Sequence, residues 1–199
     1  MFPVKLIKKK RIVASINACN YSFIHINKTG GTSILSALGL DKTHLTCREL
    51  IDKMTLSEWN KTKSIVVIRN PWDRVVSLYH YRVKTNQNNL KEMDISFKDW
   101  CNEVYVNRNH FYYDKPKMFQ PQICWIVDYD EVVNVDYILR FESLEKDFQN
   151  LAKEMGLEVK LKHLNSTNRD HYRRYYDEET KELISNWYKN DVNVFGYSF

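Results

Sequence analysis

With 199 residues, of which 43% are hydrophobic, the chain is long enough to bury a core of its own without disulfides or metals. Its four cysteines lie far apart and form no C-x-x-C pair, so the sequence indicates neither a zinc site nor a disulfide framework. The formal net charge of +5 points to anionic ligands, but the excess is too small to indicate nucleic acid as a partner.

The N-terminal segment, residues 1–20, carries a basic run at Lys8–Arg11. The apolar stretch after it has no clear cleavage site and is shorter than the roughly 20 residues that span a membrane. We therefore expect a soluble, cytoplasmic protein built as one domain over residues 1–199, with 1–20 as a basic N-terminal arm. The basic run can be a solvated arm or can bind phosphates.

The first predicted elements are a strand, a turn and a helix. Tyr21–Ile26 is a short, largely apolar run that is followed directly by a turn with two glycines. Ser33–Leu38 then predicts a helix that ends near Gly39.

The same order recurs further along the chain. Thr55–Glu58 has the T-x-x-E form of a capping box, so we expect a short helix to begin there. The β-favouring apolar residues of Ser64–Ile68 predict a strand that is buried on both faces. Asn70 as N-cap and Pro71 as first helical residue predict a helix that runs to about Lys84.

The remaining elements continue this alternation. They are a helix over Ser96–Val106, an aromatic-rich loop over Asn107–Pro121, a strand within Val132–Phe141, and helices over Ser143–Met155 and Asp177–Lys189. The loop could stack on a sugar or pack inside the protein. The pattern predicts an α/β fold with three layers, in which helices flank a mainly parallel central sheet and ligands bind beyond the carboxyl ends of the strands.

The turn after the first strand has the composition of an anion-binding loop. Glycines let the main chain approach a phosphate, a lysine adds a mobile cation, and hydroxyl groups add hydrogen-bond donors. The residues are Lys28, Thr29, Gly30, Gly31, Thr32 and Ser33. A helix N-terminus at this place would add its dipole. The alternative is an ordinary strand-to-helix turn with a glycine pair.

The second strand is followed by Arg69. In a Walker A loop the lysine follows the glycines, whereas Lys28 precedes them, and Arg69 stands where a magnesium-binding acid is expected. A guanidinium neutralises an anion directly through bidentate hydrogen bonds. Two anion sites at adjacent strand ends, without evident metal ligands, favour a nucleotide with phosphates at both ends.

Two segments resemble motifs of a known enzyme family. Phe23–Ile34 resembles the 5′-phosphosulfate loop, and Val67–Tyr79 the 3′-phosphate motif, of carbohydrate sulfotransferases related to the heparan sulfate 2-O- and 6-O-sulfotransferases. Weaker similarity at Arg140–Leu144 and Phe195–Phe199 extends the resemblance over most of the chain. The resemblance implies the P-loop-NTPase-like sulfotransferase fold and 3′-phosphoadenosine 5′-phosphosulfate (PAPS) as cosubstrate, with no metal ion.

The resemblance also implies roles for individual residues. Lys28–Ser33 would hold the 5′-phosphosulfate, with Lys28 stabilising charge on the leaving phosphate oxygen, and Arg69 and Ser77 would hold the 3′-phosphate. Judged without the resemblance, Ser77 is a small helix residue used for close packing. Asn27 stands where the family often has proline, which alters the stiffness of the turn but keeps the anion-binding groups.

Transfer of a sulfuryl group to a hydroxyl needs a base that takes the acceptor proton. His44 occupies the place where related glycan sulfotransferases carry a basic histidine, and histidine is the natural base near neutral pH. A structural histidine is the alternative, and Glu49 is the fallback base. His25, inside the first strand, is expected to be packed or hydrogen-bonded there.

A late segment around Arg169 alternates arginines with aromatic residues. In the resembling family a late segment closes over the cofactor, so Arg169 or Tyr172 could contact the 3′-phosphate or the adenine. A solvated basic loop is the alternative. We interpret Asp73 and Arg74 as capping and surface-pairing groups, and Trp72 as a core residue.

The sequence therefore predicts metal-independent, in-line transfer of a sulfuryl group from PAPS to a hydroxyl on a carbohydrate or small molecule. One alternative is a noncatalytic anion- or glycan-binding module on the same scaffold. The other is a P-loop-type kinase, against which the positions of Lys28 and Arg69 count.

Overall fold

The computed structural model describes residues 21–161 and 169–199. The expected basic arm, 1–20 with Lys8–Arg11, lies outside the described residues, as does the segment 162–168.

The chain divides into two compact units. The first comprises Met1–Ile68 and Ile123–Leu164, and the second comprises Arg69–Gln122 and Asn165–Phe199. The strands, all in the first unit, are β1 (Tyr21–Ile24), β2 (Lys63–Ile68) and β3 (Tyr137–Arg140). The α-helices in chain order are α1 (Gly31–Leu38), α2 (Cys47–Lys53), α3 (Leu56–Trp59), α4 (Pro71–Lys84), α5 (Leu90–Met93), α6 (Phe97–Cys101), α7 (Ile123–Ile126), α8 (Leu144–Glu154), α9 (Glu178–Trp187) and α10 (Lys189–Phe195). A π-helical turn, Asn102–Val106, extends α6 as far as the predicted helix end.

Among the described residues, three strands form one parallel sheet in the order β1-β2-β3. Ile24 is in register with Val66, and Ile68 with Arg140. Because neighbouring strands run in the same direction, their carboxyl ends meet at one edge of the sheet. Ligands of parallel α/β sheets bind beyond that edge.

Helices α1 and α8 cover one face of this sheet. The buried core there consists of Tyr21, Phe23, Ile65, Val67 and Leu139 from the strands, with Ile34, Leu35, Leu38, Phe148, Leu151 and Ala152 from the helices. On the opposite face Ile24, Val66 and Ile68 are also at most 1% exposed. A parallel sheet buried on both faces is the arrangement of a layered α/β fold. The predicted fold class, a parallel sheet flanked by helices, is confirmed.

The second unit has an aromatic core of its own, built on α4, α6 and α9. It includes Trp72, Val76, Trp100, Ile184 and Tyr188, so the interpretation of Trp72 as a core residue is confirmed. Tyr112 and Phe119, from the aromatic-rich loop, are buried in the same core, whereas Phe111 is 45% exposed. Part of that loop therefore packs into the core, while residues 107–111 and 114–116 are exposed.

Local capping explains several helix ends. Asn70 accepts from the N–H groups of Trp72 and Asp73, as the sequence predicts for the start of α4. The predicted capping box of Thr55 and Glu58 opens α3. Each such cap stabilises a helix by about 1 kcal/mol.

Several elements differ from expectation. Helices α2, α5, α7 and α10 were not predicted, although Thr46 and Glu49 form a capping box at the start of α2. Strand β3 is shorter than the expected Val132–Phe141. It begins after Asp136, whose carboxylate accepts from the N–H and hydroxyl of Ser64, each at 2.8 Å. The Asp136 side chain here takes the place of a main-chain hydrogen bond between the two strands.

Candidate active site

The turn between β1 and α1 holds the residues predicted to bind the 5′-phosphosulfate. Lys28 and Gly30 both adopt left-handed backbone, with φ of 67° and 83°. For lysine this conformation costs about 1 kcal/mol or more, and such strain is concentrated at functional turns. The buried Thr29 hydroxyl donates to the Ile26 carbonyl oxygen at 2.9 Å, so that proton is used within the turn. What Thr29 can offer an anion is its main chain.

The turn leads into the N-terminus of α1. Gly30 is the N-cap, and the helix runs for eight residues from Gly31. The first N–H groups of a helix have no acceptor four residues earlier, and the helix dipole adds partial positive charge at this end. Thr32 is exposed here, while Ser33 is 8% exposed and its N–H donates to the Gly30 carbonyl oxygen at 3.1 Å. The first turn of α1 can therefore bind an anion.

Gly31 is required by the close approach of His25. A Cβ atom at position 31 would lie 2.3 Å from His25 Cδ2 and 2.9 Å from Phe23 Cε1. Only a glycine lets the imidazole ring lie directly against the turn. The ring of His25 is thus packed, as expected.

His44 also lies against His25. Its Nδ1 is 2.8 Å from the His25 carbonyl oxygen, and the two rings stack with centroids 4.4 Å apart. Because a carbonyl oxygen only accepts, His44 Nδ1 must donate, which places the lone pair of the neutral ring on Nε2. His44 is partly buried and is held in the tautomer that a base requires at Nε2.

His25 itself is kept uncharged. Burial, the neighbouring His44 and Lys42 together lower the pKa of His25 from 6.5 to about 3. Its Nδ1 is buried and has no hydrogen-bond partner among the described residues. Because the His25 ring stays neutral near pH 7, it does not oppose the protonation of His44 by charge repulsion.

The fallback base, Glu49, is engaged at the start of α2. Its carboxylate accepts from the N–H of Thr46 at 2.7 Å and from the hydroxyl of Thr46 at 3.1 Å. These bonds belong to the capping box and hold the carboxylate at the helix end.

In the second unit, Arg69 is held by an acid one helical turn away. Arg69 Nε donates to Asp73 Oδ2 at 2.8 Å, and a second guanidinium nitrogen lies 2.7 Å from the same oxygen. The Arg69 side chain is 8% exposed. Its guanidinium is therefore fixed in direction before any ligand arrives.

Asp73 also binds Arg169 through its other oxygen. The two arginines named from the sequence, 100 positions apart, thus meet on one carboxylate. Ser77 lies four residues beyond Asp73, on the same face of α4, and is 4% exposed. Two guanidinium groups and one carboxylate leave one positive charge in this cluster, which favours an anion. Tyr172 instead packs its ring on Phe199.

The interpretation of Arg74 as a surface-pairing group is wrong. Arg74 is 2% exposed. It donates to the carbonyl oxygens of Gln120 and Met118 at 3.2 and 3.1 Å, and its guanidinium lies 5.7 Å from the ring centre of Tyr188. Carbonyl groups of an ordered loop compensate for the burial of its charge, which a local pattern could not predict.

In the sequence, the Lys28 turn and Arg69 each follow the end of a strand of the sheet. The Lys28 turn follows β1, and Arg69 directly follows Ile68, the last residue of β2. The two strands are parallel neighbours. A family model described as "Sulfotransferase family" matches residues 17–198 of the chain.

The chain belongs to the sulfotransferase family. Among curated relatives, an uncharacterized protein of Archaeoglobus fulgidus is 30% identical over 109 residues, which are 53% of this chain and 78% of the relative.

A solved structure, that of a sulfotransferase from Alicyclobacillus acidocaldarius, is similar at 16% identity with a TM-score of 0.42. The similarity covers 73% of this chain. The chain spans only 55% of the length of that sulfotransferase.

Sequence reasoning missed three groups that hold the predicted site residues of this sulfotransferase-family chain. They are the carbonyl oxygen of His25, the side-chain amide of Gln122 and the carboxylate of Asp191. Gln122 and Asp191 stand in no recognisable motif, and the hydrogen bonds that involve the three groups join residues 19 or more positions apart. No local signal in the sequence could have identified these groups.

The described residues offer neither a metal-binding cluster nor a membrane-spanning helix. Within 21–161 and 169–199, three or more His, Cys, Asp or Glu side chains nowhere group so that they could hold a metal ion. Over the same part of the chain, no helix is both long enough and apolar enough to cross a membrane.

Proposed function

We propose that this member of the sulfotransferase family transfers a sulfuryl group from PAPS to a hydroxyl of a carbohydrate or small molecule. The observation that carries the proposal is the turn Lys28–Ser33, in which left-handed backbone at Lys28 and Gly30 leads into the N-terminus of α1. The match of one family model to residues 17–198 supports a single sulfotransferase domain that includes both compact units.

The form of the turn supports a role in binding the 5′-phosphosulfate group. A Cβ atom at Gly30 would lie 3.0 Å from Leu144 Cδ2, and one at Gly31 would collide with His25, so both positions keep the main chain bare. Bare main chain at a helix N-terminus can donate several N–H groups to a phosphate. In the proposal, Lys28, Thr29, Gly30, Gly31, Thr32 and Ser33 hold this end of PAPS, with Thr29 acting through its main chain.

Arg69, Ser77 and Arg169 hold the 3′-phosphate in the proposal. The shared contact of both arginines with Asp73 supports this assignment, because it gathers two guanidinium groups and keeps a net positive charge. Planar guanidinium groups match the oxygens of a phosphate in pairs. Both ends of the nucleotide are then neutralised by side chains and main-chain N–H groups, and the proposed transfer is metal-independent.

PAPS, when bound, supplies the sulfuryl group and leaves as 3′-phosphoadenosine 5′-phosphate (PAP). His44 Nε2 accepts the proton of the acceptor hydroxyl as its oxygen forms the new bond to sulfur. Lys28 stabilises the negative charge that grows on the departing phosphate oxygen on the opposite side of the sulfur. The tautomer set by the His25 carbonyl supports the role of His44.

A transfer assay with radiolabelled sulfate in PAPS, run beside calorimetric titration with PAP, tests the proposal. We expect PAP to bind and label to appear on members of a panel of hydroxylated glycans and small molecules. The absence of PAP binding to well-folded protein would reject the proposal. Binding without turnover on a broad panel would instead indicate a noncatalytic module on the same scaffold.

A further inference from the structure

Gln122 is a fully buried residue whose side chain pairs with the main chain of Arg69. Gln122 Oε1 accepts from the Arg69 N–H at 2.9 Å, and Gln122 Nε2 donates to the Arg69 carbonyl oxygen at 2.8 Å. One amide thus satisfies both main-chain polar groups of Arg69, as a neighbouring strand would.

A buried carboxylate orients Gln122 in turn. Asp191, on α10, is 0% exposed, and its Oδ2 accepts from Gln122 N–H at 2.8 Å and from Gln122 Nε2 at 3.2 Å. Because the carboxylate accepts both bonds, it directs the Nε2 end of the amide toward itself and the Oε1 end toward the Arg69 N–H. Three segments that are distant in sequence meet at this point.

Arg69 is consequently held at both ends. Gln122 fixes its main chain, and Asp73 accepts two contacts from its guanidinium. Arginine loses about 2 kcal/mol of rotamer entropy when it is immobilised, so ordering it before the ligand arrives removes a cost from binding. Groups that hold a binding residue in this way determine how closely its side chain keeps the geometry that ligand binding requires.

We propose that Gln122, oriented by Asp191, is a positioning residue that sets the direction of Arg69 toward the 3′-phosphate. This inference rests on the proposed function. It predicts that Gln122 affects recognition of the 3′-phosphate and not of the remainder of the nucleotide.

The test compares PAP with adenosine 5′-monophosphate, which lacks the 3′-phosphate, as competitors in the transfer assay and in calorimetry. We expect Gln122→Met to raise the dissociation constant of PAP about 5- to 20-fold, in line with the loss of hydrogen bonds to a fixed partner. The dissociation constant of adenosine 5′-monophosphate should stay within about twofold.

Gln120→Met is the matched control. Gln120 is two positions away, and its Nε2 is buried without a hydrogen-bond partner among the described residues. Within the described part of the chain, only its main-chain oxygen accepts a side-chain hydrogen bond, from Arg74, and a methionine keeps that oxygen. We expect both nucleotides to bind the control as they bind the parent protein.

A double-mutant cycle separates positioning from a general structural effect. In the Arg69→Ala background, Gln122→Met should weaken PAP binding by less than about twofold, because the residue that it positions is gone. Equal losses for both nucleotides, or fully additive losses for PAP, overturn the proposal. If the parent protein binds PAP no more tightly than adenosine 5′-monophosphate, the proposed 3′-phosphate site itself is wrong, which is a different result.

Folding of each variant is checked first by circular dichroism and thermal unfolding. If Gln122→Met does not fold, Asp191→Leu takes its place, because leucine has a similar shape but no oxygen that could accept the two Gln122 hydrogen bonds. Asp191→Leu must then show the same selective loss for PAP. An Asp191→Leu protein that is folded and discriminates the two nucleotides as the parent does overturns the proposal.

Discussion

His44 donates from Nδ1 to the main-chain oxygen of His25 across 2.8 Å, and the two rings stack. The same His25 ring lies so close to Gly31 that a Cβ atom there would be 2.3 Å away. His25 therefore connects the proposed base to the proposed anion-binding turn through direct contacts. The distance between His44 and the turn is therefore fixed by packed groups and does not depend on a mobile side chain.

We expect His44→Ala to lower kcat by about 100- to 10,000-fold, the range that a positioned general base contributes. PAP binding should change little, since His44 acts on the acceptor hydroxyl. Steady-state kinetics and PAP titration measure the two effects. His110→Ala, at an exposed histidine, is the control. Full turnover in His44→Ala would remove His44 from the mechanism.

Lys28→Ala should lower kcat by about 100-fold or more, because the charge on the departing oxygen loses its counter-ion. We expect a normal circular dichroism spectrum, since the turn is held by main-chain geometry and by the Thr29 hydroxyl. Lys61→Ala, at an exposed lysine of the same unit, controls for a change in net charge. A Lys28→Ala protein with parental kcat contradicts the role assigned to Lys28.

Replacing Gly31 by alanine should destabilise the protein by about 3 kcal/mol, because the new methyl group overlaps a packed imidazole. Gly39→Ala is the matched control. Gly39 has φ of 63°, but a Cβ atom there would meet no heavy atom within 4 Å beyond its chain neighbours and its own helix, so only backbone strain of about 1 kcal/mol is expected. Urea unfolding measures both.

The overlap at Gly31 should be partly relieved in the double variant His25→Ala/Gly31→Ala. We expect its free energy of unfolding to fall by less than the sum of the two single changes. Additive losses in the free energy of unfolding would show that positions 25 and 31 have no steric interaction.

Stability should depend on pH through His25. Its pKa is lowered from 6.5 to about 3 in the folded protein, mainly by burial, so the unfolded chain binds the extra proton first as pH falls. The free energy of unfolding should therefore be unaffected by this group above pH 6.5 and decrease as pH falls toward 3. Between pH 7 and pH 4 the loss is on the order of 3 kcal/mol.

His25→Phe keeps an aromatic ring and removes the titration. Urea unfolding at a series of pH values should give a shallower decline for this variant than for the parent protein. Parallel curves for the two proteins would mean that His25 does not contribute to the acid sensitivity.

Arg69→Lys should weaken PAP binding about tenfold, although the charge is kept, because an ammonium group cannot form the paired, planar contacts of a guanidinium. Arg174→Lys, at a side chain that is 73% exposed, is the control. Calorimetry with PAP measures both. If lysine at position 69 binds PAP as well as arginine does, charge alone is sufficient there.

Much of the fold was predictable from local patterns. Three signals act within a few residues, so each identifies its helix or strand from a short stretch of sequence. They are the apolar run of β2, the Asn70-Pro71 start of α4 and the glycine after α1. The capping box of Thr46 was equally visible, and α2 could have been predicted from it. The start of β3 was not, because Asp136 interrupts the strand through Ser64, 72 positions away.

The sequence by itself also identified the composition of the Lys28–Ser33 turn and the arginine after β2, because turn chemistry and strand ends are local properties. Only the tertiary structure decided what those residues contact. It placed Arg169 with Arg69 on Asp73, buried Arg74, and put Gln122 and Asp191 behind Arg69. Hydrogen bonds between residues tens of positions apart depend on where the whole chain packs, and that information is spread over the core rather than written in any one motif.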